Sequence, residues 1–415
     1  MTTTTPTCTI WGWVTNSNSN NSTKNMRKAF LYLLLITLTA AFTISCEKDD
    51  TDFSNYKLET DDPDDPEPDP EPDPDDTTTV VTNDTVYIVY NGNNATVSGA
   101  IDSEYTVSGA DVTMTSSADN YQVYILSGTS DDGSLLVYRE KKYEIILNNV
   151  TLTNADGPAI NNQCGKSLYL EVADGTTNTL TDGTTYAEQT FDQKGALFSE
   201  GQIYFLGTGT LNVTGSCKHA IACDDYIVMN ENTTLNVSCS TGNGIKVNDG
   251  IWINNGTVGI DVSSTAGRGI KCDSVVVITG GDITIKTTGD DVYDEAEADY
   301  SSAACIKCDY DFTMSGGKLT MTSSGDGGKG VNCDGAVVVS GGTFSATTSG
   351  GNDNAKPKAV KGNGITVSGG SFYAKVGKGW ACDNGVDSDT PEARITVVGT
   401  PSTATIAKKE VNIVF

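Results

Sequence analysis

The sequence predicts an all-β fold, a right-handed parallel β-helix with three short strands per coil of about 25 residues, and three observations lead there. From Lys218 onward the chain can be laid over itself: Ile221, Ile245, Ile270, Ile306 and Val331 recur at spacings of 24, 25, 36 and 25 residues, and Val360 and Trp380 continue the series less regularly. Each repeat carries three period-two alternations of apolar residues, for example Ile270/Cys272, Val276/Ile278 and Ile283/Ile285, which read as half-buried strands and leave no room for a helix. Gly, Asn and Asp punctuate the strands, with Gly-Gly at 280–281, 316–317, 341–342 and 369–370 marking one recurrent turn. A lone coil cannot bury its apolar face, whereas stacked coils share one continuous core. Strand twist sets the expected hand.

Stacking turns the repeat into columns. Two residues after the isoleucine series stand Cys223, Val247, Cys272, Cys308, Cys333, Gly362 and Cys382, an inward column by alternation. In-register coils keep stacked Cβ atoms about 4.8 Å apart, beyond the separation a disulfide prefers, so these thiols are expected to pack unpaired. Cys305 and Cys308 spell C-x-x-C, but with a single histidine, His219, in the chain and no second such pair, neither zinc nor redox work is expected of them. Next along come Asp224, Asn248, Asp273, Asp309, Asp334, Asn363 and Asp383. Lys246, Lys271, Lys307 and Lys361 form an outward column beside them.

The first eighty residues stand apart from this body. Met26-Arg27-Lys28, a short apolar run and Cys46 read as a secretion signal spanning residues 1–45, with true initiation at Met26, and the run is too short to favour a membrane-spanning helix. The cleavage site resembles that of bacterial lipoproteins, which implies that Cys46 is the acylated residue; the acidic residues after it are similar to signals for the outward face of the outer membrane. Residues 47–76 hold fifteen acidic residues, two lysines and six prolines, so residues 46–79 are expected to form an extended tether to a β-helix over 80–415. The tether accounts for about half of the formal charge of −28, and the body that remains is still acidic. That excludes nucleic acid as a partner. It also opposes an acidic polysaccharide unless cations intervene. A monomer, touching the membrane through its lipid alone, is expected.

The phrases "LNNVTLTNADGPAI", "EVADGTTNTLTDG", "KGALFSEG", "GTGTLNVTGSCKHAIACDD" and "GGDITI" carry a resemblance. Over roughly residues 126–372 the chain is similar to a bacterial family of β-helical carbohydrate-binding domains related in fold to pectate lyases. That resemblance implies a secreted, calcium-containing β-helix that binds plant-type or acidic polysaccharide, with no established catalytic role.

Stacked carboxylates every 4.8 Å repel by roughly 1 kcal/mol per pair even in water, so something must offset them. Turn hydrogen bonds and alternation with lysine are one answer. Calcium, with its oxygen ligands, is the other. The strongest place for it is the insertion at residues 287–302, which carries Asp290, Asp291 and Asp294 beside Asp273 and Asp309 of neighbouring coils. Asp290-Asp291 stand where the family shows Gly-Asp-Asp-Gly-Ile, and Val292 replaces its glycine. The lysine column suggests ligand contacts from Lys246, Lys271 and Lys307, with Trp252, Tyr293 and Tyr310 as the aromatic candidates. The resulting expectation is a cell-surface lipoprotein that binds uronate-type or cellulosic plant polysaccharide with calcium. Two alternatives stay open: a calcium-dependent polysaccharide lyase with Lys271 or Lys307 as base, and a β-helical adhesin or stalk.

Overall fold

The computed structural model describes residues 85–351 and 354–415; Met26, Cys46 and the acidic segment lie outside the described residues. Contacts divide the chain into Met1–Thr79 and Val80–Phe415, and the second unit is a β-solenoid of about 11 turns. Each coil gives one strand to each of three faces. The first face is a twelve-stranded sheet that includes His219–Cys223, Ile245–Val247, Arg268–Cys272, Ala304–Cys308, Lys329–Cys333, Lys358–Lys361 and Trp380–Asp383. The second face includes Tyr226–Met229, Gly250–Ile253 and Val276–Ile278; the third includes Thr234–Cys239, Thr257–Val262 and Asp282–Thr287.

Strands pair in parallel and in register, so like residues stack. Ile221, Ile245, Ile270, Ile306, Val331 and Val360 form one buried column, and Cys223, Val247, Cys272, Cys308 and Cys333 form the next. The cysteines are free, and the thiol of Cys308 lies 3.1 Å from that of Cys333. Phe312, Phe344 and Phe372 stack inside the second and third faces with centroids 6.1 and 4.7 Å apart. Small polar or β-branched residues occupy most outward positions, as a two-sided strand requires.

The last coil departs from the expected alignment. Val360 pairs with Cys382, Lys358 with Trp380 and Lys361 with Asp383. Trp380 therefore leaves the isoleucine column, Cys382 joins it, and Asp383 falls in the lysine row rather than the aspartate row. A slip of two residues preserves which face each side chain takes, so alternation alone cannot detect it. It places the Trp380 ring against the cations of Arg394 and Lys408, at 4.1 and 4.7 Å from the ring centroid, instead of in a column sized for isoleucine.

Both ends are closed by antiparallel pairing. Thr85–Asn91 pairs with Asn94–Ser98 and Tyr105–Ser108 with Ala110–Ser116; at the far end Ser371–Val376 takes Glu410–Val414, which takes Thr403–Ile406. These hairpins cover edges that would otherwise template another chain.

The Gly-Gly turns need both glycines, for different reasons. A Cβ on Gly341 would lie 2.2 Å from the Ser315 carbonyl oxygen of the preceding coil, and Gly342 has φ of 76°. Gly341→Ala is expected to cost about 1–3 kcal/mol through overpacking, read as a lower urea midpoint; an unchanged midpoint would show that the turns can separate freely.

Candidate functional site

The lysine row forms as expected on the first face: Lys246, Lys271, Lys307, Asn332 and Lys361 stack in register, ending at Asp383. Its first members are already engaged. Lys246 bonds Asp273 at 2.7 Å, Lys271 bonds the other oxygen of the same carboxylate, and Lys307 bonds Asp309 at 3.1 Å and Asp334 at 2.7 Å. Burial alone would push Asp273 up, but the two ammonium groups outweigh it and hold the carboxyl below its usual range. Burial likewise opposes the charge on Lys307, and its two aspartates overcome this and raise it. Lys246, Lys271 and Lys307 thus balance Asp273, Asp309 and Asp334. An amine held charged in this way is poorly suited to act as a base.

Further along the same face, the row changes character. A groove of about 890 Å³ runs over the coils from Arg268 to Asp383. One wall is the insertion, an antiparallel hairpin of Val292–Asp294 with Asp299–Ser301, and beside it lies the segment at 354–356. The far end is bounded by residues 385–387, Arg394 and Lys408. Eight basic residues line it against three acidic ones, Asp299, Asp383 and Asp387, in a chain whose formal charge is −28.

The charges in this groove are unevenly paired. Lys358 and Arg394 share Asp383, each at 2.6 Å. Arg268, Lys329, Lys356, Lys361 and Lys408 have no carboxylate within ion-pair distance among the described residues. Lys329 is only 9% exposed; its ammonium donates to the Ser302 hydroxyl and, at 3.1 Å, to the Gly327 carbonyl. Burial first, then the positive charges of Lys361, Arg268 and Lys358, push its pKa down to about 8. Burial also lowers the pKa of Arg268. Four buried side-chain polar atoms lack a hydrogen-bond partner among the described residues, and two of them, Arg268 Nε and Asn332 Oδ1, belong to residues of this groove.

The aspartates expected to bind metal do not converge. Asp294 accepts the Ala296 N–H at 3.0 Å and closes its own turn, whereas Asp290 accepts the Asp326 N–H at 2.9 Å and Asp291 that of Ala355 at 2.8 Å, each from a later coil. The acids that do converge among the described residues are Asp192, Glu200 and Asp224, whose carboxylate oxygens lie within 4.8 Å of one another. Carboxylate oxygen suits calcium. The ammonium of Lys194 bonds both Asp192 and Asp224, so an ion there competes with a lysine.

The aromatic candidates are dispersed. Trp252 stands on the second face, edge-on to Tyr226 at 5.8 Å, in a ladder that continues through Tyr204 to Tyr169. Tyr169 and Tyr204 stack on each other at 5.1 Å, which turns ring faces toward neighbouring coils rather than toward a sugar. Tyr293 pairs edge-on with Tyr300 on the insertion hairpin, and Tyr300 borders the groove. Tyr310 is exposed at the turn after Cys308. His219 sits at the start of its strand, and burial holds its pKa down to about 4, so it is neutral and accepts the Asn243 N–H at 3.0 Å.

Sequence reasoning missed Arg268, Lys329 and Lys358, which stack two residues before the isoleucine column. Lys356, Arg394 and Lys408 come from segments outside the repeat. The local signal available was the run Lys356, Lys358, Lys361 in an otherwise acidic body.

Comparison with known proteins agrees with this architecture. A family model described as carbohydrate-binding domain-containing protein matches residues 108–274 and 259–355, together more than half of the chain. A carbohydrate-binding domain-containing protein of Acetivibrio thermocellus is 31% identical over 119 residues, 27% of this chain; the match spans 42% of that relative's length. The solved structure of the polysaccharide lyase-like protein from C. thermocellum, a gadolinium derivative, superposes with a TM-score of 0.50 at 24% identity, covering 61% of this chain and 96% of that one, a likeness of fold. The chain belongs to the family of carbohydrate-binding domain-containing proteins.

Proposed function

We propose that the groove on the first face binds an acidic polysaccharide of the uronate type, and that the protein presents it at the outward face of the outer membrane through a lipid on Cys46 and the acidic tether. One observation carries the reading: five cations without a carboxylate partner among the described residues line a single groove of an acidic body. An uncompensated buried charge destabilises a fold, so a carboxylated ligand would supply the buried Lys329 with the counter-charge it lacks among the described residues, while the exposed Lys356, Lys361 and Lys408 add attraction through solvent. The tension between an acidic body and an acidic glycan is thereby relieved by local charge. Polygalacturonate binding in calorimetry, weakening steeply with added salt, tests it; equal affinity for neutral glucan would contradict it.

Calcium belongs to the same proposal at Asp192, Glu200 and Asp224, where it would displace Lys194. A calcium-dependent rise in melting temperature that is lost in Asp224→Asn is the expected result, and no rise at millimolar calcium contradicts it.

Binding at the groove is expected to depend on pH. Lys329 is charged below about 8 and loses its proton as pH rises through that value. Affinity for oligogalacturonate should therefore hold from pH 6 to 7 and fall by about tenfold by pH 9.5, the worth of one charge-assisted contact. A flat profile would remove Lys329 from the site.

The same lowered pKa favours one second reading. An amine that is partly neutral near pH 8 can remove the proton beside a uronate carboxyl, which makes Lys329, rather than Lys271 or Lys307, the base of a lyase. Release of unsaturated product from polygalacturonate, rising in absorbance with pH and absent in Lys329→Met, identifies it; intact polymer after prolonged incubation leaves the binder.

A further inference from the structure

We infer that Cys308 and Cys333 are a disulfide-forming pair, and that their bond braces the two coils that carry the middle of the groove.

The column itself singles them out. Cys272, Cys308 and Cys333 are consecutive members of the inward column on the first face, so two neighbouring pairings are open to it. Three of the column's thiols turn back into their own coil: Cys223 donates to the Tyr226 carbonyl at 3.4 Å, Cys272 to that of Val275 at 3.3 Å and Cys333 to that of Ala336 at 3.6 Å. Cys272 also accepts the Ser274 N–H, so its sulfur is committed to its own turn. Cys308 departs from this pattern. Among the described residues its thiol bonds no carbonyl and points along the axis to Cys333 Sγ, at 3.1 Å. That separation is on the order of 1 Å longer than a disulfide bond.

The backbone permits the bond. Ala304–Cys308 and Lys329–Cys333 are parallel and in register with Cys308 opposite Cys333, which sets their Cα atoms about 4.8 Å apart, inside the range that disulfides span. Strict stacking leaves Cβ atoms slightly too far apart. A small lean of the two side chains toward each other closes the difference, and the approach of the two sulfurs is that lean.

The chemistry balances with a small disulfide as oxidant. The Cys308 S–H donates to Cys333, which favours the thiolate on Cys333 and outweighs burial there. That thiolate attacks the oxidant's S–S bond and releases one thiol. Cys308 then gives up its proton and displaces the second thiol from the mixed disulfide. Two protein thiols lose two protons and two electrons, and the oxidant becomes two thiols. The exported location proposed above is one where such bonds persist.

Both sulfurs are buried, Cys308 completely and Cys333 to 2% exposure, so the exchange belongs to folding, while coils are still docking on one another. After docking, the same burial shields the bond from reductants. Lys307 and Asn332, the outward neighbours of the two cysteines, line the groove, so the brace fixes the spacing of its floor.

The test refolds the full chain from urea in a mixture of reduced and oxidised glutathione, quenches with iodoacetamide and maps peptides without reductant. One dominant cross-link is expected, Cys308 to Cys333, with Cys223, Cys272 and Cys382 alkylated. The linked protein should melt on the order of 5 °C above the reduced one and keep the bond in dithiothreitol until it unfolds. Cys308→Ala and Cys333→Ala should each abolish the difference between oxidised and reduced protein, whereas Cys272→Ala should keep it. Cooperative urea unfolding in reducing buffer establishes that each variant is folded. Full alkylation of Cys308 and Cys333 after refolding, or a dominant link through Cys272, overturns the pair. A Cys308–Cys333 link that leaves the melting temperature unchanged overturns the brace.

Discussion

Replacing Lys329 with methionine is expected to make the free protein more stable and the groove at least about tenfold weaker toward acidic glycan. Lys329 is only 9% exposed and has no carboxylate partner among the described residues. Exchanging an uncompensated buried ion for an apolar chain of similar length commonly stabilises a fold by about 1–4 kcal/mol. The sign with pH follows from linkage. The folded pKa of about 8 lies below that of an unfolded lysine, so between those values the unfolded chain holds the extra proton and stability rises with pH. The cost of the charge is therefore present below about pH 8 and relieved above it. The methionine variant should gain most at pH 7 and little at pH 10.5. Loss of stability at pH 7 would mean that the bonds to Ser302 and Gly327 outweigh the buried charge. The opposite signs for stability and binding are the mark of a residue kept for its ligand.

Phe344→Ala is expected to cost about 3–5 kcal/mol, because the truncation removes a buried ring and leaves a cavity in its place. Phe344 is fully buried between Phe312 and Phe372, stacked on the latter at 4.7 Å and 7° between planes. In a solenoid each coil rests on its neighbours, so a cavity at one level loosens the coils on both sides. Those coils also carry Lys329 and Lys358 on the first face, so the variant should weaken glycan binding as well as lower the urea midpoint. A loss below about 1 kcal/mol would show that the ring stack collapses to fill the space.

The fold was legible in the sequence because a solenoid writes one coil's demands again and again. The isoleucine and cysteine columns, the lysine row and the double-glycine turns were all visible from spacing, and the structure places them in register. The end of the series was not. Trp380 resembles its predecessors in context but sits two residues out of step, since period-two alternation is blind to such a slip and cation contacts from Arg394 and Lys408 reward it.

The candidate site was legible only in outline. Charged rows on the first face were foreseen, but whether Lys271 meets Asp273 or a ligand depends on side-chain reach, not on spacing. The structure follows the simpler alternative in which lysines offset the stacked aspartates. The groove cations gather from a row two residues before the isoleucine column, to which the repeat gave no role, and from irregular segments near the C-terminus. Asp290, Asp291 and Asp294 looked like ligands because they cluster in sequence, yet each is turned to a backbone N–H of a turn. Cys46 and the tether lie outside the described residues, and the anchoring proposal rests on the sequence.

Amide hydrogen exchange with and without tetragalacturonate tests the central claim most directly, because it locates the ligand on the solenoid. Slowed exchange is expected in the strands Lys329–Cys333, Lys358–Lys361 and Trp380–Asp383 and in the hairpin strand Asp299–Ser301, all bordering the groove. Protection centred instead on Gly250–Ile253 around Trp252, or on Ile245–Val247 and the Lys246/Lys271 pair with Asp273, would contradict a ligand seated in that groove.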